Sequence, residues 1–246
     1  MKRFGLGFWS FIALMLSLTA LFVWLGSWQV ARLAEKDRLV ADVDRQLAEQ
    51  PYDLPPARDW GAYPLDVYAY HLVTMTGRYL NDQSVLVFTN LPKPKGQYGG
   101  PGYWVMTPFE ASAGGIVFVN RGFIPQSAGA RFAGAPGPEG EVTLTGIALE
   151  AERAGAFTPG PDRIKRIEWV RDPTRLAAMV GVSGPLFPYM IDAPAGNPGD
   201  LPQGGETVIE FPNNHLGYAI TWFGFALITP LLLGYWIWRQ VRPGKA

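Results

Sequence analysis

Two uncharged apolar runs frame the chain, Phe8 to Val30 and Leu216 to Trp238. Each is roughly 23 residues, enough to cross a hydrocarbon core of about 30 Å as a helix rising about 1.5 Å per residue. The first run is longer than the roughly 7–15 residues of a signal-peptide core, and Trp24, Trp28 and Gln29 occupy the place where a small-x-small cleavage site would fall. The pattern therefore predicts two membrane-spanning helices at 8–30 and 215–238, with a short head (1–7), a short tail (239–246) and a large water-facing segment (31–214).

Trp24, Trp28 and Arg32 recur at i, i+4 and i+8 and share one face of the first helix, as an interfacial aromatic belt would. Ser10, Ala13, Ser17 and Ala20 form a small-residue stripe on that helix, and Gly217, Thr221 and Gly224 form another on the second. The two stripes are expected to meet as a packing seam, with a kink at Pro230. Residues 31–50 mix helix formers with charges of both signs, which reads as a solvated extension of the first helix, ended by Pro51, Pro55 and Pro56.

Between the helices the period changes to that of strands. Residues 67–79, 84–90, 103–109, 116–124, 142–149, 166–170, 187–191 and 207–211 are rich in Val, Ile, Thr and aromatics and are punctuated by Gly and Pro. Gly114-Gly115 predicts a tight hairpin, and residues 92–101, 126–140 and 196–205 predict loops. Asp172 as N-cap followed by Pro173 predicts one helix, to Val180. The expected class is membrane α+β: two transmembrane helices flanking a mainly antiparallel β-rich extracytoplasmic domain, a sheet or partial barrel with a small helical insert.

Composition narrows the chemistry. The chain has 246 residues, 48% hydrophobic and 17% charged, with zero formal net charge. No basic excess exists to displace counterions from nucleic acid. The absence of cysteine removes disulfides, thiolate nucleophiles, thiolate-bound metals and covalent haem attachment through C-x-x-C-H. Both ends of the chain carry basic residues (Lys2, Arg3; Arg239, Arg242, Lys245), whereas the segment after Val30 balances base with acid. By the positive-inside rule both termini face the cytoplasm. The short head leaves little room for a cleaved organellar presequence, so the expected setting is a bacterial plasma membrane with a periplasmic domain.

Candidate chemistry is sparse. No Gly-rich phosphate loop, G-x-S-x-G or H-E-x-x-H is present, so an enzyme is not expected. His71 lies in a strand-like pattern with Asp66 or Ser84 as conceivable partners; a satisfied strand histidine is the simpler reading. Asp172, Glu168, Asp192 and Glu210 show no pairing from sequence alone. His215 differs, standing at the threshold of the second apolar run after Asn213 and Asn214. In a helix, His215, Tyr218, Ala219 and Trp222 share a face. His215 is then a metal or haem ligand, or a polar anchor beside a capping asparagine.

Four segments resemble the surfeit locus protein one family of cytochrome c oxidase assembly factors. They are Leu25-Gly26-Ser27-Trp28-Gln29-Val30-Ala31-Arg32, Tyr103-Trp104-Val105-Met106-Thr107-Pro108-Phe109, Val117-Phe118-Val119-Asn120-Arg121-Gly122-Phe123-Ile124-Pro125 and Asn213 through Phe223. The resemblance implies an assembly factor acting where haem a enters the oxidase catalytic subunit, with haem a as a transient cofactor and haem a synthase as a further partner. It implies His215 as axial ligand, Trp222, Tyr218 and Trp28 around the porphyrin, and Arg32 or Arg121 on a propionate. For Trp28 the alternative is a membrane-belt anchor, and for Arg121 a structural ion pair at a turn. A different class remains open: a scaffold or accessory subunit of the oxidase that binds no haem.

Overall fold

The computed structural model describes residues 5–61, 67–132, 137–209, 211 and 213–242. The chain divides into two compact units. One gathers the described residues of Met1–Asp42 and Glu210–Ala246; the other is Val43–Ile209.

The first unit is built from α1 (Leu6–Ala48) as far as Asp42 and from α3 (His215–Val241), both helices long and apolar enough to cross a membrane. The solvated extension expected after residue 30 is a direct continuation of α1, and α3 runs unbroken through Pro230. Their contacts give an antiparallel pair. Phe8 and Phe11 meet Trp236, Phe22 meets Trp222 and Phe225, and Gln29 meets His215. The less exposed α3 positions include 215, 219, 222, 226, 229, 233 and 236; on α1 they include 8, 12, 15, 19, 22, 26, 29, 33 and 36. Both sets advance by alternating steps of four and three, the 3.5-residue repeat of a left-handed helix pair.

That seam corrects the expected one. Ser10, Ala13, Ser17 and Ala20 are exposed, and a Cβ on Gly217 or Gly224 would meet nothing. The helices pack through aromatic and branched side chains instead, because those bury more surface per contact. Close approach occurs at Gly26, whose place for a Cβ lies 2.8–2.9 Å from the ring of Phe223.

The second unit is a β domain. Its strands are β1 (Tyr52–Asp53), β2 (Leu72–Tyr79), β3 (Val85–Leu91), β4 (Gly100–Ala111), β5 (Ile116–Pro125), β6 (Val142–Glu150), β7 (Ile167–Glu168) and β8 (Leu186–Asp192). Strand β2 pairs with both β6 and β4, so the order β2-β6-β8-β5-β4 closes on itself as a five-stranded barrel. Four of these five pairings are antiparallel and only β5–β8 is parallel. Strand β3, with β7 beside it, continues from β4, and β1 lies along β2.

All five barrel strands supply its main core, with Val73 and Met75, Phe109, Val117 and Val119, Ala148, and Phe187 and Ile191. The other face of β5 is also covered. Ile116 and Phe118 pack with Val85, Val87 and Met190 beneath helix α2 (Pro173–Val180), whose Leu176 is fully buried. Burial on both faces explains why β5 reads as a continuous apolar run. Asp172 caps α2 by accepting from the Thr174 and Arg175 amides, and Gly181 closes it in the left-handed region at φ 73°.

Several strand expectations change: of 166–170 only Ile167–Glu168 is strand, and the last two residues of the expected 92–101 loop begin β4. The first strand begins at Leu72, because residues 67–71 form a turn with Tyr70 at φ 61°. Residues 207–209 and 211 are not strand; Thr207 instead donates its hydroxyl to Asp192. The two-residue β1 carried no legible period. The Gly114-Gly115 hairpin forms as expected, with both glycines at positive φ and the ring of Trp60 against Gly115.

Candidate functional site

His215 is the first residue of α3. Its backbone N–H is capped by the Oδ1 of Asn213 at 3.4 Å, not by Asn214. The side chain of Asn213 also donates to Asp37 of α1 at 3.1 Å. One turn before Leu33 on the same stripe of α1, the buried Gln29 places its Oε1 2.6 Å from Nδ1 of His215. A carboxamide oxygen only accepts, so this contact is a hydrogen bond in the tautomer that carries its proton on Nδ1. In that tautomer a neutral ring keeps its lone pair on Nε2, which has no polar partner among the described residues. A neutral imidazole with one nitrogen tied by a neighbouring carbonyl and the other free is the form in which histidine binds a metal.

The other proposed porphyrin neighbours fall into two groups. Trp222 lies on the helix seam with His215 and stacks on Phe22 at 5.8 Å. Tyr218, Trp28 and Arg32 point away from that seam and are exposed; Arg32 bonds Glu35 at 2.7 Å and sits over the Trp28 ring at 5.8 Å. Trp28 thus has the exposure of a belt residue. Gln29 and Asp37 complete the surroundings of His215. Gln29 was legible only as part of the Trp28-Gln29 pair, and Asp37 lay in what read as a solvated charge run.

Arg121 belongs to the β domain. Strand β5 carries one extra residue opposite the Trp104–Met106 step of β4, a bulge that spans Arg121 and Gly122. Asn120 turns this bulge by accepting the Gly122 amide on its Oδ1 at 3.1 Å. The Arg121 guanidinium lies over the ring of Tyr79 at 5.7 Å. Burial pushes the Tyr79 phenol up to about 12, and burial also lowers the Arg121 guanidinium from its ordinary value.

The other polar candidates of the domain have local partners where they are described. His71 precedes β2, with Nδ1 3.1 Å from the Ala69 carbonyl, Nε2 3.6 Å from Glu49 and its ring stacked on Tyr52 at 4.8 Å. Ser84 bonds Asn81 and Thr107 instead of His71, and Asp66 lies outside the described residues. Glu168 pairs with Arg175 at 2.8 Å, while Glu210 is also outside the described residues. Asp192 is buried, accepts from Thr207 and lies 3.6 Å from Arg171. Burial raises its carboxyl from the usual value, and Arg171 opposes that shift. The buried Glu206 accepts from the Lys95 and Gly96 amides and from Gln203, so it ties the 92–101 loop to the segment after β8.

Residues 16–227 match the model of the SURF1 family. The chain is 31% identical over 262 residues to a SURF1-like protein of Monosiga brevicollis, covering 99% of this chain and 91% of the relative. It is 32% identical over 221 residues to a SURF1-like protein of Drosophila melanogaster (85% and 71%). It is 31% identical over 225 residues to Surfeit locus protein 1 of Homo sapiens (85% and 71%). The chain belongs to the SURF1 family.

Membership covers every motif that carried the resemblance, and the fold gives each of them a physical task. The 25–32 segment of this SURF1-family chain supplies Gly26 and Gln29 to the helix seam. The 213–223 segment supplies the cap, the histidine and the aromatic residues that answer them. Residues 103–109 and 117–125 are adjacent strands, and the Asn120-Arg121-Gly122 bulge lies in their pairing.

Proposed function

We propose that this protein is a membrane-embedded assembly factor for cytochrome c oxidase that acts where haem a reaches the catalytic subunit. Haem a is the cargo in this reading, and no catalytic step is assigned to the chain. The observation that carries the proposal is His215, whose Nδ1 is engaged by Gln29 while Nε2 keeps its lone pair. That donor fits an axial iron ligand. Trp222, on the same seam, supplies an aromatic wall. Tyr218, Trp28 and Arg32 are exposed residues of the same unit, available to a porphyrin edge or propionate, and Arg121 is the candidate cation of the domain.

The test is to express the full chain with haem a synthesis and record the optical spectrum of the purified protein. Wild type should carry a haem a spectrum that His215→Ala loses. Absence of haem from wild type, at the level of a control membrane protein, defeats the carrier reading. A scaffold reading draws on the same contact, because the Gln29–His215 bond also clasps α1 to α3. It predicts that the oxidase catalytic subunit co-purifies equally well with His215→Ala.

The proposed setting is a bacterial plasma membrane crossed twice. Arg239 in the last turn of α3 and Arg242 just after it have no acids beside them in the sequence, while Arg32, Glu35, Lys36 and Asp37 are mixed on α1. This charge asymmetry supports a cytoplasmic C-terminus and a periplasmic β domain. Reporter fusions before Phe8 and after Arg242 should both read cytoplasmic.

A further inference from the structure

We propose that Gln29 is the positioning residue of His215: its carboxamide oxygen accepts a hydrogen bond from Nδ1–H and leaves Nε2 as the one ring acceptor. This deepens the haem-handling reading and rests on it only for the identity of the ligand. A neutral imidazole in water favours the opposite tautomer, with the proton on Nε2 and no lone pair there. Something must therefore select the form that can ligate through Nε2, and the Gln29 oxygen at 2.6 Å does so.

The contact is built, not incidental. Gln29 is 8% exposed and occupies the seam position that follows Phe22 and Gly26 on the same stripe of α1. The absence of a side chain at Gly26 lets Phe223 lie against α1, which draws the start of α3 within reach. Two turns beyond Gln29, Asp37 accepts from Asn213, and Asn213 in turn accepts the His215 amide. Helix α1 thus sets the ring by Gln29 and the backbone by Asp37, through residues eight positions apart.

Were the carboxamide turned the other way, its NH2 would donate to Nδ1 and the proton would move to Nε2. The two arrangements are opposite in outcome and can be told apart without any ligand. The chain holds only two histidines, which makes nitrogen-15 spectra of histidine-labelled protein simple to read. The full chain is reconstituted in nanodiscs of phosphatidylcholine and phosphatidylglycerol and observed with the imidazole neutral. His215→Asn identifies the His215 signals.

The expected result is Nδ1–H for His215 in wild type, a shift to mainly Nε2–H in Gln29→Leu, and a return to Nδ1–H in Gln29→Glu. An Nε2–H ring in wild type, or an unchanged ring in Gln29→Leu, overturns the proposal. So does failure of Gln29→Glu to restore Nδ1–H while the seam aromatics keep their wild-type signals. Titration with haem a then reads affinity separately. Gln29→Leu should bind about tenfold more weakly than wild type, the lower end of the usual effect of removing a ligand's hydrogen-bond partner. If the tautomer moves as expected but wild type binds no haem a, the positioning role stands and the carrier function fails.

Discussion

Replacing Gly122 by alanine tests the account of the β5 bulge. Gly122 has φ 132°, a conformation that a side chain disfavours, and a Cβ there would lie 2.3 Å from the carbonyl carbon and oxygen of Gln203 and 2.5 Å from the Gly204 amide. All three are backbone atoms, so no rotamer change relieves the clash. The Gln203 segment must retreat, and with it go the reciprocal bonds Phe123 N–H to Gln203 O and Gln203 N–H to Phe123 O, both 2.8 Å. Backbone strain of about 1–3 kcal/mol, with about 1 kcal/mol for each lost bond, gives a cost of about 3–5 kcal/mol. For a chain of this size each kcal/mol shifts the midpoint by about 2–4 °C, so a fall of roughly 6–20 °C is expected. The assay is thermal unfolding of the full chain in detergent, followed by near-ultraviolet circular dichroism. Gly160→Ala serves as the control, because a Cβ there meets nothing within 4 Å and its φ is not positive. A Gly122→Ala midpoint within about 2 °C of that control would refute the reasoning, since strain alone should exceed that shift.

Two further outcomes follow from the domain. Asp172→Ala removes the acceptor for the Thr174 and Arg175 amides, and should cost about 1 kcal/mol while those two amides exchange with deuterium faster than in wild type. Unchanged exchange there would show that the cap is not what holds the first turn of α2. Asp192 has a folded pKa raised by burial, so its protonated form is favoured on folding, and its contribution is present below the unfolded value near 3.8 and lost as pH rises through the higher folded value. The stability of wild type minus that of Asp192→Asn should therefore grow as pH is lowered across this window. A difference that shrinks on acidification would mean that the ion pair with Arg171 outweighs burial.

Much of this architecture is legible because the relevant signals are local. The apolar runs, the Asp172-Pro173 helix start, the Gly114-Gly115 turn and the Val, Ile, Thr and aromatic content of the strands depend on residues a few positions apart. The structure departs from the local pattern where a distant neighbour decides the conformation. Tyr68 to His71 has the composition of a strand, yet Tyr70 takes a positive φ while its amide bonds the Ala148 carbonyl. The small-residue stripes look like helix interfaces, but either face of a membrane helix is apolar enough to pack, and composition cannot rank the two.

His215 illustrates the division most clearly. Sequence alone determined that this histidine stands where an apolar helix begins, beside asparagines and aromatics, because those are facts of order along the chain. It also determined membership of one family through four separate motifs. Only the tertiary structure decided which helix face meets which. The 3.5-residue register of the pair turns Gln29 inward and Trp28 outward, although the two are adjacent in the chain. Register is a property of two packed surfaces, summed over every contact along them, and no single segment contains it. The partner of His215 therefore lies 186 positions away and became visible only when the helices were brought together.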